Sequence, residues 1–287
     1  MKLKTWLVFA LLATAFCGVW GALIEIPEKA GFPASLGYVV WSLTMIIPCL
    51  VSLKIIHWKL EVHAKAIKCG LAIGLLGAAG QLLLFQALKS GAAYLVFPFV
   101  SLSPLITILL SIWLLKENAS LKAWVGIILA LIAIPLLSYQ PPSDSNTGNY
   151  IWILFSLLVF LLWGIQAYLM KIANDYMKAE SIFFYMMVAA IALIPVAIRM
   201  TDFSKPINWG IKGPVAAAGI QILNAIGALF IVYAFRYGRA IIVSPLVNAG
   251  APVITIILSL IIYGVFPQTI ILTGMLVAIA ALYLLVT

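Results

Sequence analysis

Six hydrogen-bonding side chains lie inside long apolar stretches of this 287-residue sequence: Gln81, Gln86, Ser101, Gln221, Asn224 and Asn248. An amide or hydroxyl buried in an apolar medium needs a hydrogen-bonding partner. Such groups therefore join neighbouring helices or contact a polar solute. We predict that these residues bind a small molecule, with Ser101 and Asn248 as opposing donors and acceptors. Contacts between helices remain the alternative for about half of them.

Three tryptophans, Trp20, Trp41 and Trp163, lie away from the ends of the same apolar stretches, which also contain Tyr94 and Tyr168. Their rings are predicted to form an aromatic wall beside the polar group. Such a wall would stack an aromatic metabolite, or hold a quaternary ammonium group by cation–π attraction. Packing within the protein core is the alternative explanation for these rings.

The residues that enzymes use for catalysis do not form a recognisable group in the sequence. Cys17, Cys49 and Cys69 all lie in apolar stretches and lack the spacing of metal ligands. We find no Ser–His–acid set and no phosphate-binding loop. The sequence therefore predicts no catalytic residue, no metal site, no cofactor and no enzyme.

The elements that position these residues are predicted to be membrane-spanning helices. Hydrophobic residues make up 65% of the chain and charged residues 9%, whereas soluble domains carry about 25% charged residues. Apolar stretches of about 20 residues, each long enough to cross a bilayer as a helix, recur throughout. The predicted spans, numbered 1 to 10, cover residues 5–25, 34–54, 66–88, 92–115, 121–139, 150–171, 180–199, 213–235, 240–263 and 268–286.

The distribution of positive charge predicts the orientation of these ten spans. With the N-terminus inside, 12 of the 17 Lys and Arg residues lie on the cytoplasmic side, as the positive-inside rule requires. Both termini are then cytoplasmic, in a cytoplasmic (inner) membrane. This arrangement accounts for the net charge of +9 without nucleic-acid binding.

The two halves of the chain share a pattern of residues. Ala87-Leu-Lys-Ser-Gly-Ala-Ala93, followed by Pro98, matches Ala234-Phe-Arg-Tyr-Gly-Arg-Ala240, followed by Pro245. The match continues with Gly126 and Gly274, so we assign residues 1–139 and 150–287 to two repeats joined by a linker at 140–149. A five-span repeat has an odd number of crossings, so its second copy is inverted, an architecture common among secondary transporters.

Paired prolines mark the fourth span of each repeat, Pro98 and Pro104 in span 4, and Pro245 and Pro252 in span 9. Proline removes a helical hydrogen bond and kinks the helix. Freed backbone groups in a membrane are tolerated where they line a cavity. We therefore predict a substrate cavity between spans 4 and 9, with simple helix bending as the alternative.

These features resemble the drug/metabolite transporter superfamily, specifically its EamA-like branch. The resemblance covers both halves and rests on the Pro and Ser-Pro-Leu pattern of span 4, on Leu115-Lys116-Glu117 and on the Trp-Gly pairs at Trp20 and Trp163. It implies two inverted five-helix repeats around a central cavity, with spans 5 and 10 at the periphery. One departure is that Glu117 has no acidic counterpart after span 9.

The expected function is that of a permease for a small polar or amphipathic metabolite, such as an amino acid, working by alternating access. Because no Asp or Glu lies in the middle of a span, export or facilitated diffusion is favoured over a strongly coupled pump. Uptake of a choline-like cation or a sugar-like nutrient is the alternative, followed by a non-transport membrane protein. The expected partners are the lipid bilayer and a small-molecule substrate. Gly70 and Gly74 form a helix-contact motif that leaves a homodimer open.

Overall fold

The computed structural model describes residues 4–91, 93–139, 150–264 and 266–286, with the side chains of residues 93 and 94 excluded. The predicted linker at 140–149 therefore lies outside the described residues. Within them the chain is helical, and nine helical spans are long and apolar enough to cross a membrane. The tenth, span 5, is shorter. Spans 1 to 10 are Thr5–Lys29, Ala34–Ile55, Ala64–Ser90, Leu95–Leu115, Leu121–Leu137, Ile151–Ala173, Ala179–Arg199, Ile211–Tyr237, Ala240–Tyr263 and Thr269–Val286.

Each packed pair of spans has an equivalent pair, in which each span is replaced by its counterpart from the other half of the chain. Span 1 packs against spans 8 and 9, and span 6 packs against spans 3 and 4. Span 2 packs against span 8 as span 7 packs against span 3, and spans 5 and 10 pack against each other. The predicted fold class, an all-α membrane protein of two inverted five-helix repeats, is confirmed.

Several spans are interrupted near their middle or their end. Spans 1, 2, 4 and 7 each consist of two helices: Thr5–Leu23 with Glu25–Lys29, Ala34–Thr44 with Ile46–Ile55, Ala93–Ser101 with Pro104–Leu115, and Ala179–Ala192 with Ile194–Arg199. Span 8 opens with a π-helical turn, Ile211–Val215, before the helix Ala216–Tyr237.

The four prolines that were expected to kink spans 4 and 9 differ in their effect. Pro104 is the first residue of a new helix, where its missing N–H would have had no helical partner in any case. Pro98 lies inside the helix that precedes the break. Pro245 and Pro252 both lie inside the single helix of span 9. Of the two spans, only span 4 is therefore divided into two helices in the described residues.

Glycines at equivalent positions allow close packing within the bundle. A Cβ atom at Gly126 of span 5 would lie 3.0 Å from Leu285, and one at Gly274 of span 10 would lie 2.9 Å from Leu136. Gly74, in the helix-contact motif, faces Ala189 of span 7 in the same chain. The motif is thus used in packing within the molecule.

Candidate functional site

A central cavity of about 320 Å³ lies among the spans, at the lower end of the range of ligand pockets. Its lining residues come from spans 1, 2, 3, 4, 6, 7, 8 and 9. Spans 4 and 9, which carry the paired prolines, both contribute. No lining residue in the described part of the chain belongs to span 5 or 10, so these two spans are peripheral to the cavity.

The cavity brings together about half of the residues predicted from the sequence. Those that line it are Gln81, Asn224, Asn248, Trp20, Trp41 and Trp163. Those that do not are Gln86, Ser101, Gln221 and Tyr168. The side chain of Tyr94 lies outside the described residues.

Two of the residues outside the cavity have partners within the protein. The Ser101 hydroxyl donates to the carbonyl of Pro98 at 2.9 Å, at the end of its own helix. The Trp20 indole Nε1 donates to Gln221 Oε1 at 3.0 Å and links span 1 to span 8. Gln221 therefore does not line the cavity but orients Trp20, whose ring does.

One wall of the cavity requires glycine at two positions of span 3, Gly77 and Gly80. Trp163 and Gln166 lie one turn apart on span 6, and the Trp163 indole donates to the carbonyl of Gly77 at 3.3 Å. A Cβ atom at Gly77 would lie 2.8 Å from Gln166 Cδ, and one at Gly80 would lie 2.7 Å from Trp163 Cδ1. Larger residues at these positions would displace both side chains.

Several polar groups of the cavity lining form no hydrogen bond within the protein. Within the described residues, the side-chain amides of Gln81, Gln166 and Asn224 have no hydrogen-bonding partner. Asn248 uses its Nδ2 atom to donate to the carbonyl of Ser244 at 2.9 Å, which leaves its oxygen as an acceptor. The buried Nε1 of Trp41 also has no partner. No charged side chain is found among the described residues that line the cavity.

Four polar lining residues were missed by the sequence analysis: Ser103, Thr107, Gln166 and Ser244. The signal that identified the other amides, a polar residue in an apolar stretch, was equally present at Gln166. The repeat pattern pointed to Thr107, which is equivalent to Thr255. The Thr107 hydroxyl donates to the carbonyl of Gly164 at 3.0 Å and joins span 4 to span 6. The Thr255 hydroxyl donates to the carbonyl of Gly18 at 2.9 Å and joins span 9 to span 1.

The cavity is closer to one membrane face than to the other. We call the face at which span 1 begins the N-terminal face, and the other the opposite face. Val243, the fourth residue of span 9, and Phe235 near the end of span 8 carry the lining towards the N-terminal face. On the other side, the Trp20–Gln221 hydrogen bond lies between the central cavity and a second one.

The second cavity, of about 480 Å³, lies at the opposite face. It is bounded by the connection between spans 1 and 2, the end of span 3 and the connection between spans 7 and 8. Unlike the central cavity, it has charged lining residues: Glu28, Lys89, Asp202 and Lys205.

Comparison with known proteins gives three similarities. The sequence model of the EamA-like transporter family matches residues 4–139 and 150–287. An uncharacterized protein of Methanocaldococcus jannaschii is 34% identical over 138 residues, which are 47% of this chain and 98% of the relative. A protein of known crystal structure has a TM-score of 0.75 at 16% identity, covering 96% of this chain and 97% of its own. The last similarity concerns the fold.

Proposed function

The chain belongs to the EamA-like transporter family, within the drug/metabolite transporter superfamily, and on that premise we propose that its central cavity carries a small polar or amphipathic metabolite by alternating access. The permease class follows from the family. The cargo, the direction and the use of this cavity are our proposal, and an amino acid is one cargo of the proposed kind.

The observation that carries the proposal is the set of unpaired amides in the central cavity. Polar side chains inside membrane spans commonly hydrogen-bond to neighbouring helices, yet the half-buried side chains of Gln81, Gln166 and Asn224, which line the cavity, have no partner among the described residues. They come from spans 3, 6 and 8, and so from both repeats. A solute that passes between the repeats would supply the missing partners.

We propose export or facilitated diffusion as the direction of transport. The described cavity lining has no carboxylate, the group that commonly relays protons in coupled carriers. The alternative is uptake of a cationic, choline-like nutrient, because the rings of Trp20, Trp41 and Trp163 line the cavity and indole faces attract cations. Uptake of a sugar-like nutrient is the other alternative.

The remaining parts of the proposal concern the setting of the protein. We place it in the cytoplasmic membrane with both termini in the cytoplasm, from the positive-inside rule. Residues 1–139 and 150–287 are the proposed repeat units, with 140–149 as their linker. We propose lipid and a small solute as partners, with no catalytic role and no nucleic-acid partner, and a homodimer stays open.

Flux into liposomes containing the purified protein tests the proposal. We expect saturable uptake of labelled metabolites, and Gln81→Leu should reduce it by about tenfold, the effect of losing a solute hydrogen bond. Gln86→Leu is the matched control, since it makes the same change on the same helix outside the cavity. Flux that does not saturate, or that is reduced equally by both changes, would contradict the proposal. A parallel measurement with a pH gradient tests coupling.

A further inference from the structure

We infer that the central cavity selects uncharged, planar solutes with an edge that carries both a hydrogen-bond donor and an acceptor, such as a carboxamide or a lactam ring. The inference rests on the proposed function for the role of the site and narrows the proposed cargo to uncharged solutes, which excludes zwitterionic amino acids. The binding it predicts can be measured without transport. It is carried by three features of the lining: its unpaired amides, its lack of charge and its indole rings.

Some polar side chains elsewhere in the described structure join one helix to another, which the three cavity amides do not do. Tyr38 donates to the carbonyl of Ala190 at 2.9 Å, and Asn174 Nδ2 donates to the carbonyl of Val232 at 3.1 Å. These contacts join helices to each other. The amides of Gln81, Gln166 and Asn224 make no such contact in the described structure, so helix association does not explain them.

A carboxamide offers two N–H donors and a carbonyl acceptor in one plane. It can therefore form two hydrogen bonds at once with a group whose donor and acceptor lie side by side, as Asn and Gln do with the edge of adenine. A solute with only acceptors, such as a carboxylate, would leave the oxygens of Gln81, Gln166 and Asn224 unpaired. The lining therefore favours a solute edge that carries both a hydrogen-bond donor and an acceptor.

Charge is disfavoured because the cavity has no ion to compensate it. An ion that leaves water needs an opposite charge or a dense set of hydrogen bonds. Lys171 follows the lining residue Met170, but its ammonium donates to the carbonyls of Phe235 at 3.2 Å and Gly238 at 2.8 Å. The ammonium therefore binds backbone carbonyls and does not serve as the counter-ion of an anionic solute.

The indole rings favour a flat solute. Trp20, Trp41 and Trp163 lie on spans 1, 2 and 6 and line the cavity together. The N–H groups of Trp20 and Trp163 are held by Gln221 and by the carbonyl of Gly77, which fixes the orientation of these two rings. Fixed aromatic rings stack well on planar solutes.

Binding to the purified protein in detergent, measured by calorimetry, tests the inference with two matched pairs. Nicotinamide and nicotinate share a ring and differ in charge, as do uracil and its carboxylate, orotate. We expect a neutral member to bind, and its charged counterpart to bind at least about tenfold more weakly, because the ion must be desolvated. The inference is overturned if neither neutral solute binds, if a charged partner binds as tightly, or if tetramethylammonium binds more tightly than both neutral solutes.

Substitutions locate the binding. Gln166→Leu and Asn224→Leu should each weaken binding of the neutral solute by about tenfold, because one hydrogen-bonding partner is lost. Gln268→Leu, at an exposed position before span 10, is the control and should leave the affinity unchanged. Equal affinities in all three variants would overturn the assignment to this cavity. A melting temperature for each variant shows whether it is folded.

The proposed transport and the inferred solute selectivity can be contradicted independently of each other. Selective binding of neutral solutes without any flux in liposomes would retain the inference and remove the proposed transport. Saturable flux of a charged metabolite, sensitive to Gln81→Leu, would retain the permease and remove the inference.

Discussion

The two membrane faces of the protein are built from equivalent spans but are joined by different chemistry. At the N-terminal face, charged side chains connect separate segments of the chain. At the opposite face, the connections between segments are largely neutral. The difference matters because hydrogen bonds with a charged partner are about twice as strong as those between neutral groups.

At the N-terminal face, the connection between spans 2 and 3 is attached to the start of span 7. The Glu61 carboxylate accepts hydrogen bonds from the backbone N–H of Lys178, at 3.2 Å, and from the Ser181 hydroxyl. Tyr185 adds a hydrogen bond from its hydroxyl to the carbonyl of Glu61 at 2.7 Å. A carboxylate at the start of a helix also interacts favourably with its dipole.

The end of span 8 is tied to spans 6 and 7 at the same face. Besides the Lys171 contacts, Tyr233 donates to the buried carboxylate of Glu180 at 2.5 Å. Arg236 donates to the carbonyl of Met177 at 3.2 Å. Glu117, after span 4, accepts from the N–H of Ile241 at 3.1 Å, at the start of span 9. This contact gives Glu117 a role that has no counterpart in the second repeat's sequence.

At the opposite face, the connection between spans 7 and 8 lies against that between spans 1 and 2. Asn208 donates through its backbone N–H to the carbonyl of Gly31 at 3.1 Å, and through Nδ2 to that of Ala30 at 2.9 Å. Ser35 and Thr201 share a buried hydrogen bond of 2.8 Å. Charged contacts are present but exposed, such as Lys89 with the carbonyl of Met200.

This comparison indicates that the inverted repeat provides a symmetric scaffold and that polar side chains break its symmetry. Opening the N-terminal face would break charge-assisted contacts, whereas opening the opposite face would break mainly neutral ones. We therefore expect substitutions at the N-terminal face to be more destabilising. The following predictions test this expectation, from the largest effect to the smallest.

The largest effect is expected for Tyr233→Phe. The change removes the hydroxyl that donates to Glu180 and leaves a buried carboxylate without this partner. The free energy of unfolding should fall by about 2–3 kcal/mol, as for a lost hydrogen bond to a charged group. Titration with SDS in mixed micelles measures it. A loss smaller than that in Asn208→Ala would contradict the comparison.

Lys171→Met should have the next largest effect, about 2 kcal/mol, because two backbone carbonyls lose a charged donor. Lys89→Met at the opposite face is the matched control, since Lys89 makes a single exposed contact with a carbonyl. Its unfolding curve should overlay that of the unmodified protein. Equal losses in the two variants would show that the faces do not differ.

Asn208→Ala should cost about 1 kcal/mol, the typical contribution of a neutral hydrogen bond. The variant loses the bond from Nδ2 to the carbonyl of Ala30 and the exposed bond that Oδ1 accepts from the N–H of Gly210, and it retains the backbone bond to Gly31. The same SDS titration measures the change. A loss above that of Lys171→Met would reverse the order of the two faces.

The smallest effect concerns Asp202 at the opposite face. Two hydrogen bonds from Ser204, with Lys205 and Lys89 nearby, hold the pKa of Asp202 below its ordinary value. A depressed carboxyl pKa adds stability above the unfolded pKa, and this contribution is lost as the pH falls through the folded pKa. Ser204→Ala should raise the pKa towards its ordinary value, measured by carboxyl ¹³C titration of the three aspartates. An unchanged pKa would contradict this assignment.

Much of the fold could be predicted from the sequence, because membrane insertion depends on local composition. The ten apolar stretches and the repeat around Pro98 and Pro245 were sufficient for the span order and for the inverted architecture. The prolines were less informative, because only Pro104 coincides with a break between two helices. Proline in the first turn fits the helix, and the sequence does not specify where that turn begins.

The polar residues of the candidate site were found by type, but their orientation was not determined. Gln81 and Gln86 lie in the same apolar stretch, and the sequence offers no reason to prefer one of them. Five residues correspond to a rotation of about 140° around a helix axis, so the two side chains lie on different faces. Only Gln81 lines the cavity.

The sequence by itself determined that the chain is a membrane protein of two related five-span halves, because hydrophobicity and repeat pattern are properties of the linear chain. The tertiary structure alone decided which amides share a cavity, that Gln166 is among them and that the two faces are joined differently. The physical reason is that these contacts depend on the rotation and approach of helices. These are set by packing between residues far apart in sequence, such as Gly77 and Gln166.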